Sequence, residues 1–388
     1  MADMLHRSAA IVGIGISDWA GDWSRSRKGE KPDDSYGYGA TAYRRALADA
    51  GIDRSLVDGL IVGPTIAYER TGEILGIDPR WGGQADAGMA MIQACMAIRC
   101  GLASCVALVY GNAQRSSSVQ YGGPQAMGGQ NYLSYVYHSP WGLTSQGALY
   151  ALMFQRYCHV YGLDPSGLGA VAVAQRANAS RNPDAVMRKE ITQAEYEAST
   201  FVCEPLHLFD YCLINDGGVA LIVASPEVAR RCAKTPVYVE GVGRADLNHG
   251  ATSLEPRLLD FYLPAQRRAA AQVFDMAGCG PSDIDALQVY DSFSCHVLFA
   301  LEGFGFCEPG QGMTFARERG LRFDGGLPVN TGGGHLSESY MQGWNHQIEA
   351  VRQLRNEGGN RQVKSCRRVM YVSDVAGKVV SLIYGVTQ

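Results

Sequence analysis

The stretch Leu327 to Gly343 reads LPVNTGGGHLSESYMQG, and its centre is a run of three glycines, Gly332, Gly333 and Gly334. Glycine lets the backbone approach a ligand more closely than a residue with a side chain can, so a triple glycine after an apolar run marks a loop that holds something. Two side chains on this loop can move protons. His335 directly follows the glycines and suits a base, an orienting group or a simple hydrogen bond to the loop. Tyr340 lies five residues further on. A phenol with an ordinary pKa of about 10 is protonated at neutral pH, which makes it a proton donor and a poor base. A packed aromatic behind the loop is the alternative for Tyr340.

Outward from the loop, the chain repeats itself. Ala50-Gly51, then Val57-Asp58-Gly59-Leu60 and Val62, recur as Ala277-Gly278, Ile284-Asp285-Ala286-Leu287 and Val289. Each copy follows an alanine-rich helical segment, Ala40 to Ala50 and Ala265 to Ala277, and ends in a short apolar run suited to a buried strand. Ahead of each copy stands a strand with a glycine exit, AIVGIG from Ala10 and YVEGVG from Tyr238. Two half-chains of one strand-helix-strand plan are implied. The first half continues into a helix over Gly88 to Arg99 and strands over Cys105 to Tyr110 and Gly217 to Ala224. Between them, Gln114 to Pro205 is an excursion over the active-site face, with helices expected at Gln146 to Tyr161 and Pro165 to Asn178. The halves divide at the polar segment before Pro236, giving residues 1–230 with the insertion 114–205, and residues 231–388.

Composition narrows the function classes. The 388 residues are 46% hydrophobic, ample for large cores, and the formal charge of -4 without a basic run disfavours nucleic acid and anionic membranes. The opening MADMLHRSAAIVGIGIS has no apolar signal stretch and no run is long enough to span a bilayer, so a cytoplasmic protein is expected. Eleven scattered cysteines, without CxxC pairs or clustered Cys/His spacing, signal neither zinc nor a disulfide framework, and no metal is expected. Gly13 and Gly15 hint at a dinucleotide motif, but no third glycine follows at the required spacing, and a nicotinamide cofactor is rejected.

Three segments carry a family resemblance: LPVNTGGG from Leu327, YDSF from Tyr290 within LQVYDSFSCHVLFALEGFGF, and DYCLINDGGVALIV from Asp210. They resemble the thiolase superfamily, closest to its sterol-carrier-protein branch, and the likeness covers nearly the whole chain. It implies an α/β layered fold (αβαβα) made of two similar halves, with the long insertion in the first. The family's nucleophilic cysteine should precede the helix at Gly88, and the segment GGQADAGMAMIQACMAI places Ala85 there. Cys95 and Cys100 lie two or more turns into that helix, where core packing is the plainer role. The family's histidine after the glycine loop falls on Tyr340, and its strand-to-helix turn carries Tyr290 with Asp291, a residue suited to capping the following helix. His296, inside that helix, reads as a core histidine. The C-terminal glycine turn, Ser373 to Gly377, has no cysteine, and Asp374 is a turn former. His249 is a further pocket candidate.

These exchanges change the chemistry that the resemblance implies. Claisen cleavage of a 3-oxoacyl-CoA requires an acyl acceptor, and the cysteine that would serve is absent. A retro-aldol cleavage needs only a base for the hydroxyl proton, an oxyanion site for the thioester enolate and an acid for the carbanion. The pattern is similar to the thiolase-like aldolases of steroid side-chain degradation, whose tyrosine pair is carried over as Tyr340 and Tyr290. The reaction expected is cleavage of a branched 3-hydroxyacyl-CoA, such as a steroid side-chain thioester, to a ketone or aldehyde and a shorter acyl-CoA. Tyr340 would protonate the enolate, Tyr290 would assist, and backbone donors near Ala85, Gly88 and Gly377 would hold the thioester oxygen. No cofactor is expected beyond the CoA of the substrate. The resemblance also implies a homodimer and a small OB-fold, zinc-ribbon partner completing a heterotetramer. The alternatives are an acyltransferase with a displaced cysteine at Cys95 or Cys100, a non-catalytic acyl-CoA or lipid carrier, and a scaffold subunit.

Overall fold

The computed structural model describes residues 4–30, 33–118, 145–246, 262–375 and 377–386. His249 lies outside them. The strands are β1 (Ala10–Ile16), β2 (Gly59–Val62), β3 (Trp81–Gln84), β4 (Cys105–Ala113), the short β5 (Phe201–Cys203) and β6 (Leu206–His207), β7 (Asp216–Ala224), β8 (Val237–Asp246), β9 (Ala286–Val289), β10 (Arg368–Val375) and β11 (Lys378–Gly385). Among the described residues nine of them join in the order β3-β2-β4-β7-β1-β8-β11-β10-β9, and β5 pairs with β6 apart. The inner part, β2-β4-β7-β1 followed by β8-β11-β10-β9, is one motif and its mirror order. That is the duplication legible in the repeat, since β1 matches β8 and β2 matches β9. Within the sheet the two halves are joined by β1 and β8, where Ala10 and Ile11 pair with Tyr238 and Val237. The sheet is mixed: β2 runs parallel to β3 and β4, and β9 to β10, while the other contacts are antiparallel.

Five layers follow from which side chains each strand turns to which side. Helices α1 (Trp19–Arg27), α2 (Ser35–Ala50), α3 (Tyr68–Leu75) and α4 (Ala87–Arg99) belong to the first half. Along β4, Cys105, Ala107 and Val109 pack outward with Ala42 and Ala46 of α2, while Val106, Leu108 and Tyr110 pack inward with Ala90 and Met91 of α4. The inward cluster also holds Tyr371, Leu382 and Tyr384 of the second half and Trp344, Ile348 and Val351 of the helix Trp344–Leu354. That helix and α4 therefore form the middle layer. The helices Leu263–Ala277 and Cys295–Gly303 cover the far face of the second half. Strands buried on both faces read as continuous apolar runs, which is why they were visible as sequence.

The glycines of AIVGIG and YVEGVG are explained by this packing and not by a cofactor. A Cβ on Gly13 or Gly15 would lie 2.2 and 2.1 Å from the carbonyl oxygens of Ala46 and Ala42 on α2, and one on Gly241 or Gly243 would lie 2.4 and 2.2 Å from those of Val273 and Ala269. Each half thus seats its alanine-rich helix directly on glycine backbone. The insertion contains the expected helix Gln146–Tyr161, and the second one begins as a short 3-10 turn at Pro165–Leu168 before the α-helix Gly169–Ser180. No helix among the described residues is long and apolar enough to cross a membrane.

Candidate active site

The glycine loop, the end of β9 and the start of the helix Trp344–Leu354 converge on Asp291, a fully buried carboxylate. Its Oδ1 accepts the backbone N–H of His335 at 2.8 Å and His346 Nε2–H at 2.9 Å, and its Oδ2 accepts the N–H of Leu336 at 3.3 Å. Asp291 therefore braces the turn Gly334–Ser337 of the loop, and does not cap the helix that follows it, whose first residue after Ser294 receives no side-chain cap. This departs from the expected capping role. The reason is tertiary: orphan N–H groups of the loop turn lie closer to the carboxylate than those of its own helix. Gly334 adopts a φ of 58°, and a Cβ there would fall 2.3 Å from Asp291 Oδ2. Asn330 completes the anchorage by accepting Val289 N–H at 2.7 Å and donating to Val289 O at 3.0 Å, as a neighbouring strand would.

Tyr290 and Tyr340 are brought together, with their hydroxyl oxygens 3.0 Å apart. Tyr290 is held by its N–H to Val372 O at 2.8 Å, at the mouth of β9. Tyr340 is held by its N–H to Asn215 Oδ1 at 2.8 Å, while Asn112 Nδ2 donates to its carbonyl at 3.4 Å. Asn215 belongs to the NDGG wording and also donates to Ser339 Oγ at 2.8 Å, so that segment acts by fixing Tyr340. Burial pushes the Tyr290 phenol well above its ordinary pKa, against a smaller lowering by the bond to Tyr340. Tyr290 is neutral at any working pH.

His335 stands between the two rings, at centroid distances of 4.6 Å from Tyr290 and 4.8 Å from Tyr340. Its Nε2 accepts the N–H of Gly343 at 2.9 Å, which assigns the remaining proton to Nδ1, 3.6 Å from Asp291 Oδ1. Burial first, and the neighbouring His346 second, hold its pKa well below the usual histidine value. With its basic lone pair already taken by a backbone N–H, His335 is placed to orient Gly343. His296 is a core histidine: it packs 4.3 Å from the Tyr150 ring and 3.4 Å from Ser292 Oγ, and burial pushes its pKa down to about 3. Asp291, His335 and His346 form the one cluster with metal-ligand chemistry among the described residues, their donor atoms within 4.8 Å. Its lone pairs on Asp291 Oδ1 and His335 Nε2 face N–H donors, the arrangement of a hydrogen-bonded triad.

The residues expected around the thioester oxygen are spread differently. Ala85 is half-buried before α4, but its N–H is spent on Val62 O at 3.0 Å. Gly88 faces β11, where a Cβ would meet Val380 at 2.6 Å, so it serves helix-on-sheet packing. Gly377 N–H donates to Asp374 Oδ1 at 2.9 Å, closing the β10–β11 turn. Gly332 and Gly333 face away from the tyrosines, toward Glu338 and Ala179 respectively. Cys95 is fully buried with its thiol pushed up to about 12, and Cys100 is exposed at the far end of α4. Sequence reasoning missed Asn215, His346 and the bracing role of Asp291, because each depends on contacts between distant segments.

Behind the loop, Glu338 and Glu349 are both buried. Asn182 and Asn345 donate to Glu338 at 2.8 and 3.0 Å, while Arg361 pairs with Glu349 at 2.8 Å. Burial raises the Glu338 pKa to about 7, and the Glu349 carboxylate adds to the rise. A carboxyl whose folded pKa is raised stabilises fully below its unfolded value near 4.5, and that stability is lost as pH climbs toward 7. The urea midpoint should therefore fall between pH 5 and pH 8 by an amount equivalent to about 1–3 kcal/mol from this group. Glu338→Gln should remove that part of the fall; an unchanged pH slope in the variant refutes the assignment.

The steroid side-chain-cleaving aldolase of Thermomonospora curvata is 33% identical over 381 residues, 92% of this chain and 93% of that protein. The chain belongs to the thiolase-like aldolases. The 17-hydroxy-3-oxo-4-pregnene-20-carboxyl-CoA lyase of Mycobacterium tuberculosis is 32% identical to this aldolase over 98% of this chain and 100% of that protein. A family described as Thiolase C-terminal domain-like matches residues 248–382. The solved Ltp2-ChsH2(DUF35) aldolase matches at a TM-score of 0.88 with 29% identity, covering 99% of each chain. Human mitochondrial 3-ketoacyl-CoA thiolase in complex with CoA, at 13% identity and a TM-score of 0.69, shares the fold. This aldolase is thus a carbon-carbon lyase on a thiolase scaffold.

Proposed function

We propose that this aldolase cleaves a branched 3-hydroxyacyl-CoA, and that a steroid side-chain thioester such as 17-hydroxy-3-oxo-4-pregnene-20-carboxyl-CoA is its substrate class. The observation that carries the reading is the direct contact of the Tyr290 and Tyr340 hydroxyls at 3.0 Å. Ala85 at the place of a nucleophilic thiol, with Cys95 buried and protonated, argues against the acyltransferase alternative.

The two phenols suit a relay that needs no free base. The substrate hydroxyl gives its proton to Tyr290 Oη as the C–C bond breaks. Tyr290 passes its own proton to Tyr340, and Tyr340 protonates the thioester α-carbon, which has received the electron pair of the broken bond. Both tyrosines end as they began. With the pregnene thioester the products are a 17-ketone and propanoyl-CoA. Such a relay fits a Tyr290 phenol that burial keeps neutral. His335 positions Gly343, and Asp291 and Asn215 hold the loop that carries Tyr340.

A small OB-fold, zinc-ribbon partner and a homodimer complete the proposal. The edge position of β3 supports the dimer, since among the described residues Trp81–Gln84 pairs only with β2 and leaves its other side to a second copy. The test is to assay the purified chain, alone and with such a partner, on the pregnene thioester and on a 3-oxoacyl-CoA. Ketone and propanoyl-CoA from the first, with no thiolysis of the second, is the expected result. Thiolysis of the 3-oxoacyl-CoA, or no release from the hydroxy thioester with the partner present, would refute it.

A further inference from the structure

The enolate oxygen formed in this reaction needs a hydrogen-bond donor, and two of the three backbone positions expected to supply it are committed elsewhere, Ala85 N–H to Val62 O at 3.0 Å and Gly377 N–H to Asp374 Oδ1 at 2.9 Å, while the third, Gly88, is packed against Val380 of β11. Gly343 N–H is likewise held, by His335 Nε2 at 2.9 Å. Tyr371, on β10, differs from all of these. Its ring is fully buried and its hydroxyl has no hydrogen-bond partner. A buried hydroxyl without a partner is a standing cost to a fold, and natural structures keep few of them.

The Tyr371 hydroxyl is also placed at the site. Gly343 has a φ of 86°, and a Cβ there would lie 2.1 Å from Tyr371 Oη and 3.1 Å from Tyr290 Cδ2. The phenol oxygen and the Tyr290 ring therefore flank the same glycine, the one that His335 fixes. Other buried unpartnered donors have other surroundings: the Tyr211 hydroxyl lies against Gly147, the Trp344 indole stacks on Tyr110 with ring centroids 5.8 Å apart, and His335 Nδ1 lies 3.6 Å from Asp291 Oδ1. Burial raises the Tyr371 phenol far above its ordinary pKa and outweighs a lowering by the nearby Ser373 hydroxyl, which does not reach it in hydrogen-bond geometry, so it stays a donor. A neutral phenol in a site of low dielectric is a suitable oxyanion donor, because it gives a strong hydrogen bond without bringing a charge.

We propose that Tyr371 is a third catalytic tyrosine, whose hydroxyl, beside Gly343, donates to the thioester oxygen as the enolate forms. This rests on the retro-aldol reading above, with Tyr290 and Tyr340 moving protons and Tyr371 stabilising charge. The division of labour explains why one hydroxyl is unpartnered in the free chain while the other two are bonded to each other.

The test is Tyr371→Phe in the full chain, measured in two assays and by thermal melting. Cleavage of the pregnene thioester should lose about 10²–10³ in kcat with KM little changed, as for loss of one oxyanion donor. Exchange of the α-hydrogen of propanoyl-CoA with D2O, which passes through the same enolate without C–C cleavage, should slow by a similar factor. The melting midpoint should hold or rise, because no folded-state bond is removed. A variant that cleaves and exchanges like the parent overturns the role of Tyr371 alone, and so does a lowered melting midpoint, which would mean that the hydroxyl is structural. A parent chain that neither cleaves nor exchanges overturns the retro-aldol reading with it.

Discussion

Tyr340→Phe is expected to reduce kcat for cleavage by about 10²–10⁴-fold, the range for removing a positioned general acid. The change deletes one oxygen and leaves the ring, while the backbone bonds that fix the residue, Tyr340 N–H to Asn215 Oδ1 at 2.8 Å and Asn112 Nδ2 to Tyr340 O at 3.4 Å, are untouched. Binding should therefore change little, and the loss should appear in kcat and kcat/KM together, because protonation of the α-carbon belongs to the transition state. The fold pays a smaller toll, since Tyr290 Oη loses its partner at 3.0 Å, a bond worth about 1 kcal/mol. Steady-state kinetics with circular dichroism on the same sample decides the matter. A folded variant with the parent's kcat removes Tyr340 from the reaction.

Asp291→Ala should have the largest effect on stability. The carboxylate is fully buried and accepts three N–H groups, from His335, Leu336 and His346. Its removal orphans all three donors and opens a small cavity. At about 1–3 kcal/mol for each buried donor left unsatisfied, the loss is about 3 kcal/mol or more. That is a large part of the stability of a typical domain, roughly 5–15 kcal/mol. Activity should vanish with it, because the turn Gly334–Ser337 precedes Tyr340 and carries His335. Asp291→Asn keeps one acceptor oxygen while setting an amide against an N–H, and should fall between parent and Ala. Urea unfolding of the three proteins orders them; an Ala variant within 1 kcal/mol of the parent, allowing the usual scatter of about that size, means that water or a shifted loop replaces the carboxylate.

Much of this was legible along the chain. The doubled strand-helix-strand plan appeared as repeated residues because each half has the same packing problem: glycines under an alanine-rich helix, then a strand buried on both faces. β3 was missed, since Trp81-Gly82-Gly83-Gln84 has neither alternation nor an apolar run, and only pairing with β2 makes it a strand. The hairpin of β10 and β11 was read only as its turn, because Ser373 to Gly377 carries the turn chemistry while pairing partners lie across the sheet.

The candidate site divides along the same line. Sequence alone determined that the glycine loop exists, that no thiol stands at Ala85, and that Tyr290 and Tyr340 occupy the turns after β9 and the loop, because identities and local spacing are one-dimensional facts. The tertiary structure decided the rest: the 3.0 Å contact between hydroxyls fifty residues apart, the capture of His335 Nε2 by Gly343, the bracing carboxylate of Asp291, and the buried Tyr371 hydroxyl beside the same glycine. A hydrogen bond, or the lack of one, depends on ångström-scale distances between separate loops, strands and helices brought together by folding. Those distances follow from the packing of two sheet halves on a shared helix layer, and no local pattern of residues records them.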